Sequence, residues 1–266
     1  MLFNFLQLVR NENMKIYLRM RTWIMFGIIV VLQLAISIIA KLVSHSDPNN
    51  WTMMFLESNI LLVFVTIFTV VASADSVAGE FTSGTIKLLL IRPWSRSKIL
   101  LSKYISLILL ALFMSVVLFV FSFFVNMLLF GYDSSKDVVK NVFSVNRDIP
   151  VLGYMLLFYL YQFISLIITV TLAFMLSTVF RSGGLAIGLS LFVLLAGSTV
   201  TGLLSMLDYE WVKYILFLNM NLSSYLNLSP LKEGMTMGFS ISVLAVYYVV
   251  FMGLTWFIFN KRDVAA

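Results

Sequence analysis

Few residues in this sequence could carry out a reaction. It contains no cysteine and a single histidine, His45. A disulfide, an iron–sulfur cluster, a catalytic thiol and any site needing two histidines, such as the H-E-x-x-H helix of zinc proteases, are therefore excluded. The run Gly79-Glu80-Phe81-Thr82-Ser83-Gly84-Thr85 spaces its glycines like a phosphate-binding loop, G-x-x-x-x-G-K-[ST]. Thr85, however, stands where the lysine must reach the phosphates, and no parallel sheet pattern surrounds it, so the chain is not expected to hydrolyse ATP. Two acids, Glu57 and Asp75, bracket one long apolar run, and they are the only candidates for an intramembrane carboxylate. With no paired carboxylates for acid–base work, the expectation is no catalytic residue, no metal site and no cofactor held by this chain.

The elements that would position these residues are set by composition. Hydrophobic residues make up 61% of the 266 and charged ones only 11%, less than half the roughly 25% charged share of a soluble domain. Charge-free runs of about 20 residues, the length needed to cross a ~30 Å hydrocarbon core, recur along the chain. The pattern predicts an all-α integral membrane protein, one transmembrane domain over residues 1–266, with six spans. These run from about Trp23 to Val43, Met54 to Ala74, Tyr104 to Phe130, Pro150 to Phe180, Leu185 to Leu207 and Phe239 to Phe259. Residues 1–21 carry Arg10, Glu12, Lys15, Arg19 and Arg21 between apolar positions at near-helical spacing. They read as a helix lying in the membrane interface or as a cytoplasmic extension of the first span, and not as a cleaved signal peptide. Residues 208–234 mix Trp211, Tyr214 and Phe217 with Asn219, Asn221 and Pro230. They read as short outer-side helices that re-enter the interface and need protein cover for their backbone.

Charge gives the orientation. If the N-terminus is cytoplasmic, twelve of the eighteen lysines and arginines fall on inside segments and eight of the twelve acids outside, which favours both termini in the cytoplasm. The net charge of +6 lies at the ends of apolar runs rather than in a stripe with interleaved aromatics, so membrane lipids, not nucleic acid, are the expected neighbours. Inside the spans the polar groups are uncharged. Thr66 and Thr69 in the second span and Ser198, Thr199 and Thr201 in the fifth are candidates to line a pathway for an amphiphilic cargo; the plainer role is hydrogen bonding between helices or to the preceding turn. Gly184-x-x-x-Gly188, Gly197 and Gly202 permit close helix approach, within the subunit or across a dimer.

The segment from Asp75 to Lys103 holds five basic residues, an apolar stretch from Ile86 to Ile91, a stop at Pro93, and Ser95 placed to cap the helix leading into the third span. Such apolar faces on a basic inside segment call for something to dock on them. Glu80 followed by Ser83-Gly84-Thr85-Ile86-Lys87, then Leu88-Leu89, Arg92-Pro93, Ser95-Arg96 and Lys98-Ile99, resembles the loop between the second and third spans of ABC-2 type transporter permeases. The N-terminal helix with Glu12 and Lys15, the six spans and the apolar segment before the last span are similar to that family too, so the resemblance covers the whole chain. It is nearest to permeases of Gram-positive bacteria that export, or confer resistance to, antimicrobial peptides. It implies a multi-pass protein of the bacterial cytoplasmic membrane that pairs with a second permease, identical or homologous. It also implies a cytoplasmic ABC ATPase subunit that holds ATP and Mg²⁺ and pushes on Glu12, Glu80, Gly84, Thr85, Lys87, Arg92, Pro93, Ser95 and Arg96. The alternatives are a secondary transporter, which would show inverted halves and an ionisable midplane site, and a sensor of envelope stress.

Overall fold

A computed structural model describes residues 2–43, 49–86, 94–132, 150–227 and 232–261. His45, Lys87, Arg92, Pro93 and most of the Ile86 to Ile91 stretch lie outside the described residues. The described residues form eight α-helices: α1 (Leu2–Tyr17), α2 (Met20–Val43), α3 (Asn50–Thr82), α4 (Arg96–Phe130), α5 (Val151–Val179), α6 (Gly183–Ser205), α7 (Leu216–Asn219) and α8 (Met237–Lys261). Two 3-10 turns, Glu210–Tyr214 and Leu222–Asn227, flank α7. Six of the helices, α2 to α6 and α8, are long and apolar enough to cross a membrane, so the all-helical, six-span reading holds.

The helix ends follow local chemistry. Asn49 caps α3, its side chain accepting from the Trp51 amide at 2.9 Å, so α3 begins four residues earlier than the apolar run indicates. It also runs on past Asp75 to Thr82, because nothing there breaks a helix: Gly79 is needed for space, since a Cβ at that position would strike the Asp75 carboxyl. Of the Asp75 to Lys103 segment, the part up to Thr82 and the part from Arg96 onward are therefore helix. With 33 and 35 residues, α3 and α4 extend roughly 50 Å each, well beyond a ~30 Å hydrocarbon core. Ser95 occupies the N-cap position of α4 in extended backbone, but its side chain makes no capping bond there; its carbonyl accepts from Lys98 and Ile99 instead. Between α1 and α2 the chain turns sharply. Thr22 Oγ1 donates to the Ile16 carbonyl at 2.6 Å and Trp23 Nε1 to the Tyr17 carbonyl at 2.8 Å, which satisfies acceptors that the end of α1 leaves open.

The core is a layer of α3, α4 and α5, with Trp51, Met54, Leu61, Leu110, Met114, Tyr154, Phe158 and Phe174 at most 1% exposed. Helices α2, α6 and α8 wrap it and keep much of their apolar surface outward, as lipid-facing helices do. Hydroxyls stitch the layer together: Ser58 with Tyr159 at 2.7 Å, Tyr104 with Thr171 at 2.9 Å, and the Val77 and Ala78 amides both donating to Ser177 Oγ at 3.0 Å.

The segment after α6 does form short helices, and they insert between α5, α6 and α8. Ser165, about halfway along α5, donates to the Met220 carbonyl. Asn219 Nδ2 donates to the Lys213 and Ile215 carbonyls at 2.8 and 2.9 Å, and Tyr247 to the Tyr214 carbonyl at 3.1 Å. Carbonyls of this irregular backbone are thus met by side-chain donors of the protein. Phe217 lies against Gly197, where a Cβ would collide with its ring, whereas Gly184, Gly188 and Gly202 face open space. Of the expected glycine contacts, the one at Gly197 is made within the subunit. Gly197→Val is accordingly expected to lower the Tm of the purified full chain, by the ~1–3 kcal/mol typical of overpacking. Gly188→Val, measured beside it, should leave the Tm essentially unchanged.

Candidate functional site

Four charged side chains meet where α1 crosses α3 and α4. Lys103 Nζ lies 2.9 Å from Glu12 Oε2 and 2.6 Å from Glu80 Oε1; Lys15 Nζ lies 2.6 Å from Glu12 Oε1 and 3.5 Å from Glu80 Oε1. Only 3% of the Lys103 side chain is exposed, and the two carboxylates are buried. Their placement follows from helix periodicity. Glu12 and Lys15 are three residues apart on one face of α1, and Lys103 shares its face of α4 with Ile99, Leu100, Ser106 and Leu107, all buried. Removing one partner from such a buried set leaves an uncompensated charge and costs about 3–5 kcal/mol. Glu80 Oε2 is buried with no partner among the described residues.

One helical turn further along, Asp75 Oδ2 accepts from Arg21 at 2.6 Å and Arg19 at 3.1 Å. The same carboxyl sits within 3.0 Å of where a Cβ on Gly183 would stand, so α6 starts directly against it. Thr82 Oγ1 accepts from the Gly183 amide at 3.0 Å, and Ser182 caps α6 through the Leu185 amide. The elbow between α1 and α2, the C-terminal part of α3 and the start of α6 are in this way held by one carboxylate.

The residues singled out from sequence divide into three groups. Glu12 and Glu80 are brought together, but inside the chain and not on its surface. Gly84, Thr85 and Ser95 are exposed: Gly84 closes α3 in left-handed backbone, φ +69°, and Thr85 Oγ1 contacts Ser83 Oγ at 2.9 Å. Arg96 is half-buried and donates to the Asn260 carbonyl at the end of α8 at 3.1 Å, while Lys87, Arg92 and Pro93 fall outside the described residues. The suggested pathway hydroxyls do not converge. Thr66, Thr69, Ser198 and Thr199 each donate to a carbonyl of their own helix; Ser198 and Thr199 point outward from α6, and Thr201 is buried. Lys103, Arg19 and Arg21 are the functional residues that sequence reasoning passed over, because a basic residue flanking a span is explained by topology alone. The usable signal was Lys103 sharing its helix face with apolar residues on both sides.

A second polar cluster lies toward the other end of the bundle. Glu57 is fully buried and is met by Ser37 Oγ at 2.6 Å, Ser122 Oγ at 3.3 Å, Gln33 Nε2 and Asn126 Nδ2. It sits two turns inside α3 rather than at its end, because the helix starts at Asn50, and no basic side chain pairs with it among the described residues. Among the described residues, Glu57 thus joins α2, α3 and α4 through neutral donors alone.

The chain belongs to the family described as "Protein of unknown function (DUF2705)", which matches residues 27–265, from within α2 onward. It is 33% identical to the uncharacterized protein YhcI of Bacillus subtilis (strain 168), over 98% of this chain and 99% of that protein. It is 26% identical to the uncharacterized membrane protein YdbK of the same organism, over 94% of this chain and 99% of that protein. With its six apolar helices, the chain is a multi-pass membrane protein.

Glu12 gives the charge cluster a pH signature. Burial pushes its carboxyl upward, but the Lys103 charge and the hydrogen bonds from Lys15 and Lys103 outweigh this and hold it below the ordinary value of 4.5. A carboxylate whose folded value is depressed adds stability that is complete above the unfolded value and lost as pH falls through the folded one. Thermal melts of the full chain are therefore expected to be flat in this respect above pH 4.5 and to fall on further acidification. In Glu12→Gln the neutral-pH Tm should be lower and that part of the acid loss absent; an acid limb unchanged by the substitution would contradict the assignment.

Proposed function

We propose that this chain is the permease subunit of an ABC exporter of the ABC-2 type, seated in a bacterial cytoplasmic membrane with both termini inside. ATP and Mg²⁺ belong to a separate ATPase subunit, and a second permease, identical or homologous, completes the pathway. The observation that carries the reading is the Glu12, Glu80, Lys15 and Lys103 cluster, one turn behind the exposed Ser83 to Thr85 turn. A push on that turn, or on the exposed Ser95 and Lys98 at the start of α4, reaches two long helices and the N-terminal helix together because buried charges lock them. Glu12 and Glu80 act in this reading as internal struts, and Gly84, Thr85 and Ser95 as contact surface. The amphipathic elements lend further support: α1 suits an interfacial helix whose underside meets the motor, and the segment around α7 suits an outer re-entrant gate.

The cargo is an amphiphile, such as an antimicrobial peptide, a lipid-like molecule or a drug. The membrane-depth hydroxyls Thr66, Thr69, Ser198, Thr199 and Thr201 offer polarity without fixed charge, and the outward Ser198, Thr199 and open Gly202 of α6 give a face for a second permease. A competing reading, secondary transport, draws on Glu57, since a carboxylate buried at membrane depth is the usual mark of ion coupling.

Affinity purification of the chain from its native membrane is expected to bring down an ABC ATPase. The complex should hydrolyse ATP and the chain alone should not. Thr85→Glu combined with Lys98→Glu, on exposed positions, is expected to lower the coupled ATPase rate several-fold while leaving the chain's own Tm unchanged. Transport by the chain alone in proteoliposomes driven by an ion gradient, and abolished by Glu57→Gln, would sink the exporter reading in favour of the secondary transporter.

A further inference from the structure

Beneath the elbow between α1 and α2 the structure has a small open crevice bounded by α1, α2, α3 and α4. Lys15, Arg19 and Arg21 line it on one side, with side chains 37–50% exposed. Away from them the lining turns apolar, to Met25, Ala72 and Leu110. Leu110 lies seven residues beyond Lys103 on α4, about 10 Å deeper along the helix axis, and Met25 about 6 Å beyond Arg21 on α2. The crevice is therefore cationic at one end and hydrocarbon-like at the other.

Its charges do not balance. Lys15 and Lys103 are matched by Glu12 and Glu80, but Arg19 and Arg21 share the single carboxylate Asp75. Two guanidiniums carry ten N–H hydrogens between them, and Asp75 Oδ2 takes one contact from each, so donors remain for a second anion. One negative charge would neutralise the site. The elbow also brings Leu18, Met20 and Trp23 outward, all more than half exposed, which is suited to contact with acyl chains at a membrane boundary.

We propose that this crevice binds the headgroup phosphate of an anionic phospholipid. Arg19 and Arg21 grip the phosphodiester, and an acyl chain lies against the exposed Met20 and Trp23 of the elbow. Guanidinium forks match phosphate oxygens two at a time, and a basic pocket between helices at headgroup level is the setting in which anionic lipids bind specifically. The bound lipid would fasten the elbow to α3 and α4 beside the Glu12 and Lys103 cluster. The inference uses only the elbow's position at a membrane boundary, so it stands or falls apart from the exporter reading; the proposed orientation adds only that the lipid belongs to the inner leaflet.

The test is native mass spectrometry of the full chain released from nanodiscs of equimolar phosphatidylcholine and phosphatidylglycerol, with Tm measured on lipid addition. The chain is expected to retain phosphatidylglycerol about fivefold over phosphatidylcholine, and phosphatidylglycerol should raise its Tm. Arg19→Gln with Arg21→Gln should remove the preference, while Arg10→Gln, an exposed arginine of α1 outside the crevice, should retain it. Should the double variant fail to fold, Arg19→Lys with Arg21→Lys keeps the charge and is expected to reduce the preference without abolishing binding. Equal retention of the two lipids by the wild-type chain, or loss of the preference in Arg10→Gln to the same degree, would overturn the proposal. So would full stabilisation by inorganic phosphate alone, which would mark a free-phosphate site.

Discussion

A lysine ammonium taken out of water costs several kcal/mol unless opposite charge meets it, and Lys103 is met twice, by Glu12 from α1 and Glu80 from α3. Neither carboxylate could be buried there without it. Lys15 completes the balance at the rim. Among the described side chains of α1, Leu8 and Val9 are the buried hydrophobic residues, and the charge cluster adds to them in fixing the position of the helix. Glu12 and Ser106, whose hydroxyl donates to the Val9 carbonyl at 3.2 Å, fix it against α4.

Helices α3 and α4 are pinned a second time at their other end. There the carboxylate of Glu57 gathers donors from α2 and α4, while apolar contacts between Leu61, Val65, Leu110 and Met114 fill the length between. Polar clusters separated by a close-packed apolar stretch give α3 and α4 fixed register, since sliding by one residue would break both. On the other side of α3, by contrast, α6 is held mainly by small residues, with Ala74, Ala78 and Ala186 fully buried and Gly183 against Asp75. In the exporter reading, the rigid unit is α1, α3 and α4, and the smooth contact of α3 with α6 is where relative movement is easiest.

Much of this fold was legible in the chain itself. Six long apolar runs correspond to six helices, and the mixed composition after the fifth run corresponds to the short helices between Glu210 and Asn227. The sites were less legible, for a physical reason. Glu80 and Lys103 are 23 residues apart, and Glu12 is 91 from Lys103; no local periodicity encodes such pairing. Glu12 and Glu80 read as surface because acids on inside segments are normally solvated, and only the fold shows them facing a cation. Glu57 was visible as an intramembrane acid, but its depth hinged on Asn49 capping a helix that hydropathy alone starts later. Thr66, Thr69, Ser198 and Thr199, four of the five hydroxyls suggested for a pathway, bond to carbonyls of their own helices, the plainer role that sequence also allowed.

One buried charge cluster ties α1, α3 and α4 together. Because the chain has no cysteine, spin labels can be placed cleanly at Arg10→Cys on α1 and Lys98→Cys on α4, both exposed, and their separation measured by pulsed electron resonance. A single narrow distance distribution is expected, broadening when Lys103→Met is introduced into the labelled chain. A distribution that Lys103→Met leaves unchanged would contradict it.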